Sequence, residues 1–169
     1  MLNSSGVPQP GDLAACYPPE ADRRRGPLVR VECFQEIPCD PCHAACPTGA
    51  IGAFVDINDL PAVDHALCTG CGLCIAACPG LAIFVVDESG PGETALVSLP
   101  YEFAPLPEPG TRVRLLDRCG EEIGRGEVRR VRNPKGFDRT AVITLAVPRE
   151  LADDVRAFAF EEGESHDRR

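Results

Sequence analysis

The chain has no tryptophan, and aromatic residues fill only 5% of its 169 positions. Large aromatic anchors are therefore scarce, and a small core built here needs other help to hold together. No apolar run approaches the roughly 20 residues that span a bilayer as a helix. The longest near the cysteines is Leu81 to Val86, so membrane insertion is not expected. Residues 1 to 11 have neither a basic stretch nor an apolar core, so no secretory signal is expected. Arg23-Arg24-Arg25 suggests a twin-arginine signal, but Gly26-Pro27 follows where an apolar stretch is required. The expected compartment is the cytoplasm. Positive charge is also short: the formal net charge is −9. That argues against nucleic acid, which calls for a basic face. It suits either simple solubility or docking to a partner with a basic patch. No general base, nucleophile or substrate pocket is evident, so catalysis by this chain alone is not expected.

Cysteine, by contrast, is abundant. Ten are present, and in a cytosolic chain they read as metal ligands and not as bridges. Those within each run are too close together to pair without strain. One run reads Cys68-Thr-Gly-Cys71-Gly-Leu-Cys74-Ile-Ala-Ala-Cys78-Pro79, and an earlier one reads Cys39-Asp-Pro-Cys42-His-Ala-Ala-Cys46-Pro47. A shift of 32 residues superposes them, carrying Cys39, Cys42 and Cys46 onto Cys71, Cys74 and Cys78. The same shift carries Ala44-Ala45 onto Ala76-Ala77 and Ala50-Ile51 onto Ala82-Ile83. A chain that repeats ligands and flanking apolar residues in register builds one site twice.

The spacing C-x2-C-x2-C-x3-C-P resembles that of bacterial two-cluster ferredoxins. Three thiolates on a tight loop wrap one side of a [4Fe-4S] core, and Gly70 and Gly72 let backbone N–H groups approach the sulfurs. In such ferredoxins the cysteine before the proline ligates the other cluster. The resemblance thus implies two [4Fe-4S] clusters. One takes Cys46, Cys68, Cys71 and Cys74; the other takes Cys39, Cys42, Cys78 and one more ligand. For that ligand the repeat lands on Glu36, not on a cysteine. Cys33 is favoured, with Glu36-Ile37-Pro38 looping out, because a soft thiolate suits iron–sulfur clusters better than a carboxylate. Glu36 as ligand, or a cluster with one iron missing, stays open.

The likeness extends further. Val31-Glu-Cys-Phe-Gln-Glu-Ile-Pro-Cys-Asp-Pro-Cys42, Leu99-Pro-Tyr-Glu-Phe103 and Arg132-Asn-Pro-Lys135 resemble the small iron–sulfur subunits of FAD-dependent amine or imino-acid dehydrogenases. These are the enzymes of the proline, hydroxyproline and sarcosine type. The resemblance implies an electron-transfer subunit that relays electrons from reduced flavin, with FAD-containing dehydrogenase subunits as partners. The alternatives are a free-standing soluble ferredoxin and a zinc-bound interaction module. Zinc sites take four ligands from two pairs, a pattern these runs do not follow.

The remaining candidates have plainer readings. His43 is a solvent-side or supporting residue, since cysteines fill the ligand positions, and His65 lies close enough to hydrogen-bond near the second run. Cys16 reads as a buried thiol, and Cys119 as incidental. Arg23 to Arg25 read as a solvated turn, and Arg129, Arg130 and Arg132 as a solvated strand edge.

The expected fold class is α+β: a ferredoxin-like, pseudo-twofold two-cluster domain followed by a small β-barrel-like domain. Residues 1–27 form an N-terminal extension, with a short helix over Asp12 to Cys16 capped by Asp12. Residues 28–90 form the dicluster domain. Its expected strands run from Leu28 to Glu32, Ala50 to Ile57 and Leu81 to Val86, with helical turns at Cys42 to Cys46 and Cys74 to Cys78. Residues 91–160 form the β-rich unit, with strands at Thr94 to Leu99, Thr111 to Leu116, Glu121 to Val131 and Thr140 to Val147, then a short helix from Pro148. Asn133 to Gly136 reads as a loop. Residues 161–169 form an acidic disordered tail that holds His166.

Overall fold

The computed structural model describes residues 6–161. The expectations for residues 1–5, for the tail beyond 161 and for His166 lie outside the described residues. Within them the chain makes three short helices and seven strands. The helices are α1 (Pro10–Ala14), α2 (Pro41–Ala44) and α3 (Leu73–Ala77). The strands are β1 (Leu28–Val31), β2 (Ile83–Asp87), β3 (Thr94–Tyr101), β4 (Arg112–Leu116), β5 (Glu122–Arg132), β6 (Ala141–Pro148) and β7 (Ala157–Phe160). All seven join one antiparallel sheet in the order β1-β2-β3-β6-β5-β4-β7. The chain is therefore a cysteine-bearing segment laid on a mostly antiparallel sheet, and that sheet runs through both expected units.

The sheet separates two cores. Ile83 and Val85 of β2 and Val29 and Val31 of β1 face the cysteine segment, together with Ile51, Ile75, Phe137 and Val142. Phe84 and Val86 face the opposite way, into Val97, Leu99, Val113, Leu115, Val128, Ile143, Leu145 and Phe158. This is the period-2 alternation of a strand with a core on each side. It explains why β1 and β2 are apolar or buried at nearly every position while β3 alternates. The far part of the sheet curls until Tyr101 on β3 stacks on Phe158 on β7, with ring centroids 4.8 Å apart. Among the described residues β7 hydrogen-bonds to β4, and the ladder ends at β1 and β7.

The repeat seen in the sequence reappears in the pairing. Val31 opposes Ile83, and Val63 opposes Ile51. The same 32-residue shift carries one pair into the other. It also relates Glu32 N–H donating to the Ala82 carbonyl, 2.8 Å, to Asp64 N–H donating to the Ala50 carbonyl, 2.8 Å. Gly49 and its mate Leu81 both follow the Cys-Pro step with positive φ, 69° and 52°.

Several local expectations need correction. The strand expected over Ala50 to Ile57 shrinks to the single Ile51–Val63 bridge. The Asp59 carboxylate accepts the N–H groups of Val55 and Asp56 at 3.1 and 2.8 Å, a local turn that competes with a ladder. Asp12 is not the cap of α1: Gln9 is, and Asp12 reaches back to the Gln9 N–H at 3.0 Å. β3 continues through Pro100, which opposes Val142 of β6 beyond Ser98, the last residue that β2 pairs. The loop at Asn133 to Gly136 holds a 3₁₀ turn, Lys135–Phe137, and the helix after Pro148 is a 3₁₀ turn, Arg149–Leu151.

The arginine turn is also not solvated throughout. Arg23 pairs with Glu88 at 2.9 Å and with Asp153, and Arg25 donates to the His65 carbonyl at 2.6 Å. Beside them Arg30 on β1 is completely buried, 3.3 Å from Glu88 and beneath the Tyr17 ring. Glu32, next along the chain, accepts from Arg118 at 2.6 Å and from Arg156 at 2.5 Å. These pairs tie the N-terminal extension and the 117–156 region to the strand that leads into the cysteines.

Candidate metal centre

Each cysteine run is a tight loop that turns into a helix of one turn. Gly72, at φ +73°, lets the chain reverse into α3, and Pro41 starts α2 with φ already set. Gly70 has a stricter reason. Its φ is +64°, and an added Cβ would meet the Pro27 Cβ and carbonyl oxygen at 2.5 Å. The Cys68–Cys71 loop thus lies directly on the chain entering β1.

Two partly enclosed cavities result. Cys46, Cys68, Cys71 and Cys74 line the first, with Val29, Ile51 and Val85 as apolar wall. Cys33, Cys39, Cys42 and Cys78 line the second, with Val31, Phe54 and Ile83. In each, one cysteine comes from the opposite run: Cys46 joins the second-run loop, and Cys78 joins the first. Cys33 is on the wall of its cavity; Glu36 is not among the lining residues. Asp59 is on that wall as well, but its carboxylate is held by the backbone N–H groups named above. Cys16 and Cys119 line neither cavity.

Backbone N–H groups reach some of these sulfurs, while burial works against charge on others. Gly70 N–H donates to the Cys68 sulfur and Ala82 N–H to the Cys78 sulfur, both at 3.4 Å. Burial raises the Cys46 thiol, but N–H groups of Ile51, Thr48 and Ala50 and the Thr48 hydroxyl outweigh it, and the net shift is downward. Cys74 is pushed up to about 12, first by burial and then by Cys71, Cys68 and Cys46. Cys42 is pushed up to about 11, first by burial and then by Cys78. These thiols feel one another's charge, and metal binding must release their protons.

The donor set suits an iron–sulfur cluster. Four soft thiolates in an apolar cavity select such clusters or zinc over hard cations. Among the described residues no three His, Cys, Asp or Glu converge tightly enough to hold a single ion. Tetrahedral zinc, with Zn–S bonds of about 2.3 Å, needs that convergence; a cluster, with a metal-sulfide core between its ligands, does not.

Both histidines near the runs bond to backbone. The His43 ring nitrogen Nδ1 lies 2.9 Å from the Ile51 carbonyl, and His65 Nε2 lies 3.1 Å from that of Val29. Burial lowers the His65 pKa, which disfavours the charged ring. The sequence reading missed Arg132, which leaves the strand edge and donates to the Cys71 carbonyl at 2.7 Å. It also missed Pro27, whose contact with Gly70 carries no motif. The pairing of residues so far apart in the chain leaves no local signal.

Comparison with known proteins agrees with this chemistry. Residues 61–84 match the family described as the 4Fe-4S binding domain. The thiosulfate reductase electron transfer subunit PhsB of Salmonella typhi is 47% identical over 63 residues, which is 37% of this chain. The match spans 31% of that relative's length. No solved structure matches the chain. The segment that holds the second cysteine run is thus similar to 4Fe-4S binding domains, and the chain spans about a third of the length of the relative it matches.

Proposed function

We propose that this chain is an electron carrier that holds two [4Fe-4S] clusters and serves as a non-catalytic subunit of an oxidoreductase. The observation that carries the reading is the crossing of the two runs. Each cavity collects three cysteines that are near in sequence and one from the other half, which is the ligand exchange of two-cluster ferredoxins. The paired Val31–Ile83 and Val63–Ile51 contacts support a pseudo-twofold unit at 28–90, with residues 91–160 as a β-rich, barrel-like neighbour. Cys46, Cys68, Cys71 and Cys74 would hold one cluster, and Cys33, Cys39, Cys42 and Cys78 the other. Such clusters supply one-electron storage at potentials set by ligands, hydrogen bonds and burial. The protein's own part is to present thiolates, to aim N–H groups at them and to wall them with Val29, Val31, Ile51, Ile83 and Val85.

Its partner would be an FAD-containing dehydrogenase subunit, as the likeness to amine and imino-acid dehydrogenases implies. A relative that is itself an electron transfer subunit of a reductase is in keeping with a partnered role. The surface fits such docking. No Lys or Arg occurs between Arg30 and Arg112. Ile37, Ile57 and Leu60 are about half exposed, and Val55 is fully exposed. Exposed apolar side chains on a segment without Lys or Arg would complement a partner surface that carries basic residues.

Anaerobic purification of the chain, from the cells that make it, tests this. About eight irons and eight sulfides per chain are expected, together with a co-purifying flavoprotein. Zinc without iron would end the proposal. Cys33→Ala should take the iron to about four per chain; an unaltered count and spectrum would place the last ligand elsewhere.

A further inference from the structure

We infer that Arg132 is a positioning residue for the site formed by Cys46, Cys68, Cys71 and Cys74, and that its charge makes this site the higher-potential one of the two. The inference rests on the two-cluster reading. It starts from where the guanidinium goes. Arg132 ends β5, and its side chain crosses to the cysteine segment, where Nη1 donates to the Cys71 carbonyl at 2.7 Å. The guanidinium lies over the ring of buried Phe137, 5.1 Å from its centroid. Nη1 also sits 3.4 Å from the place a Cβ on Gly72 would take. Stacking and hydrogen bond together fix the cation against the peptide joining Cys71 to α3.

Charge near the cysteines is otherwise one-sided. The loops bring no Lys or Arg of their own, since none occurs between Arg30 and Arg112. Other arginines that approach are matched by carboxylates. Arg118 and Arg156 share Glu32, with Asp154 also on Arg118. Arg23 and Arg30 share Glu88 and Asp153, and Arg25 pairs with Asp22. Arg132 has no carboxylate within ion-pair distance among the described residues. The other cavity has no equivalent: the repeat mate of Cys71 is Cys39, and among the described residues no arginine donates to its carbonyl.

A fixed cation favours the state that carries one more electron, so it raises the potential of the nearer site and leaves the farther one almost unchanged. Arg132 is partly solvated, which screens the effect but does not cancel it. Cys71, whose carbonyl Arg132 holds, is the most exposed of the four thiols lining that cavity.

The test is an anaerobic redox titration of the full iron-loaded chain, followed by electron paramagnetic resonance. The Cys46/Cys68/Cys71/Cys74 signal is identified by its loss in Cys71→Ala. In Arg132→Gln that signal should titrate at lower potential while the other keeps its midpoint, and Arg132→Lys should recover part of the shift. With full iron content, an unmoved midpoint, or a shift of the other signal alone, overturns the inference. If Arg132→Gln loads less iron, Phe137→Leu is read instead. It keeps the charge but loosens its seat, so the same midpoint must fall by less; no fall overturns the inference. Wild-type protein with far fewer than about eight irons would instead overturn the two-cluster reading, a distinct failure.

Discussion

Gly70→Ala isolates the contact that seats the second cysteine loop on the chain entering β1. Gly70 is at φ +64°, and the new methyl would lie 2.5 Å from both the Cβ and the carbonyl oxygen of Pro27. The left-handed backbone costs a residue with a Cβ about 1–2 kcal/mol. The clash adds about 1–3 kcal/mol, because a backbone carbonyl and a proline ring have little room to retreat. Together the loss is about 2–5 kcal/mol. For a chain of this size that lowers the thermal midpoint by about 4–20 °C. Gly49→Ala is the matched control: its φ is +69°, and nothing lies within 4 Å of the added Cβ. It should lose only the backbone part, about 1–2 kcal/mol. Both variants are compared with the parent by anaerobic thermal unfolding, read by circular dichroism and by cluster absorbance. If Gly70→Ala melts no lower than Gly49→Ala, the loop does not rest on Pro27 as described.

Two further perturbations probe the packing around the site. Burial alone would raise the Glu32 carboxyl, but the hydrogen bonds from Arg118 and Arg156 outweigh it and hold the folded-state pKa below the usual glutamate value. Its contribution is therefore complete above the unfolded pKa of about 4.3. It is lost as pH falls through the depressed folded value. Glu32→Gln should cost up to about 3–5 kcal/mol at neutral pH by removing the carboxylate that Arg118 and Arg156 share, and should flatten the acid dependence of the melting midpoint; an unchanged acid slope would refute the assignment. Ile75 on α3 is wholly buried between the cysteine segment and the sheet. Ile75→Ala should destabilise by about 2–5 kcal/mol and speed iron loss to a chelator; equal chelation rates would show that the core does not hold the site closed.

The cysteine spacing was legible because it is local. Ligands two and three residues apart must share a loop, and a 32-residue repeat shows itself without any fold in view. Most strands were legible for the same reason, as alternation in β3 and β4 or as β-branched runs in β2 and β6. β7 was missed: Ala157–Phe160 is a short apolar run with no alternation, and it becomes a strand only against β4. The strand expected after the first run failed because Asp59 captures the backbone ahead of it. Arg132 looked like one of several edge arginines, since its partner is 61 residues away.

The amino-acid sequence by itself determined the chemistry, a set of soft ligands at fixed short spacings that suits iron and sulfide, because coordination is decided by residue type and reach. Only the tertiary structure decided which arginine stands over one of the cysteine loops, that Pro27 seats the same loop, and that a single sheet runs beneath both runs. Those depend on contacts across many tens of residues, where burial and pairing geometry set the outcome and local pattern carries no information.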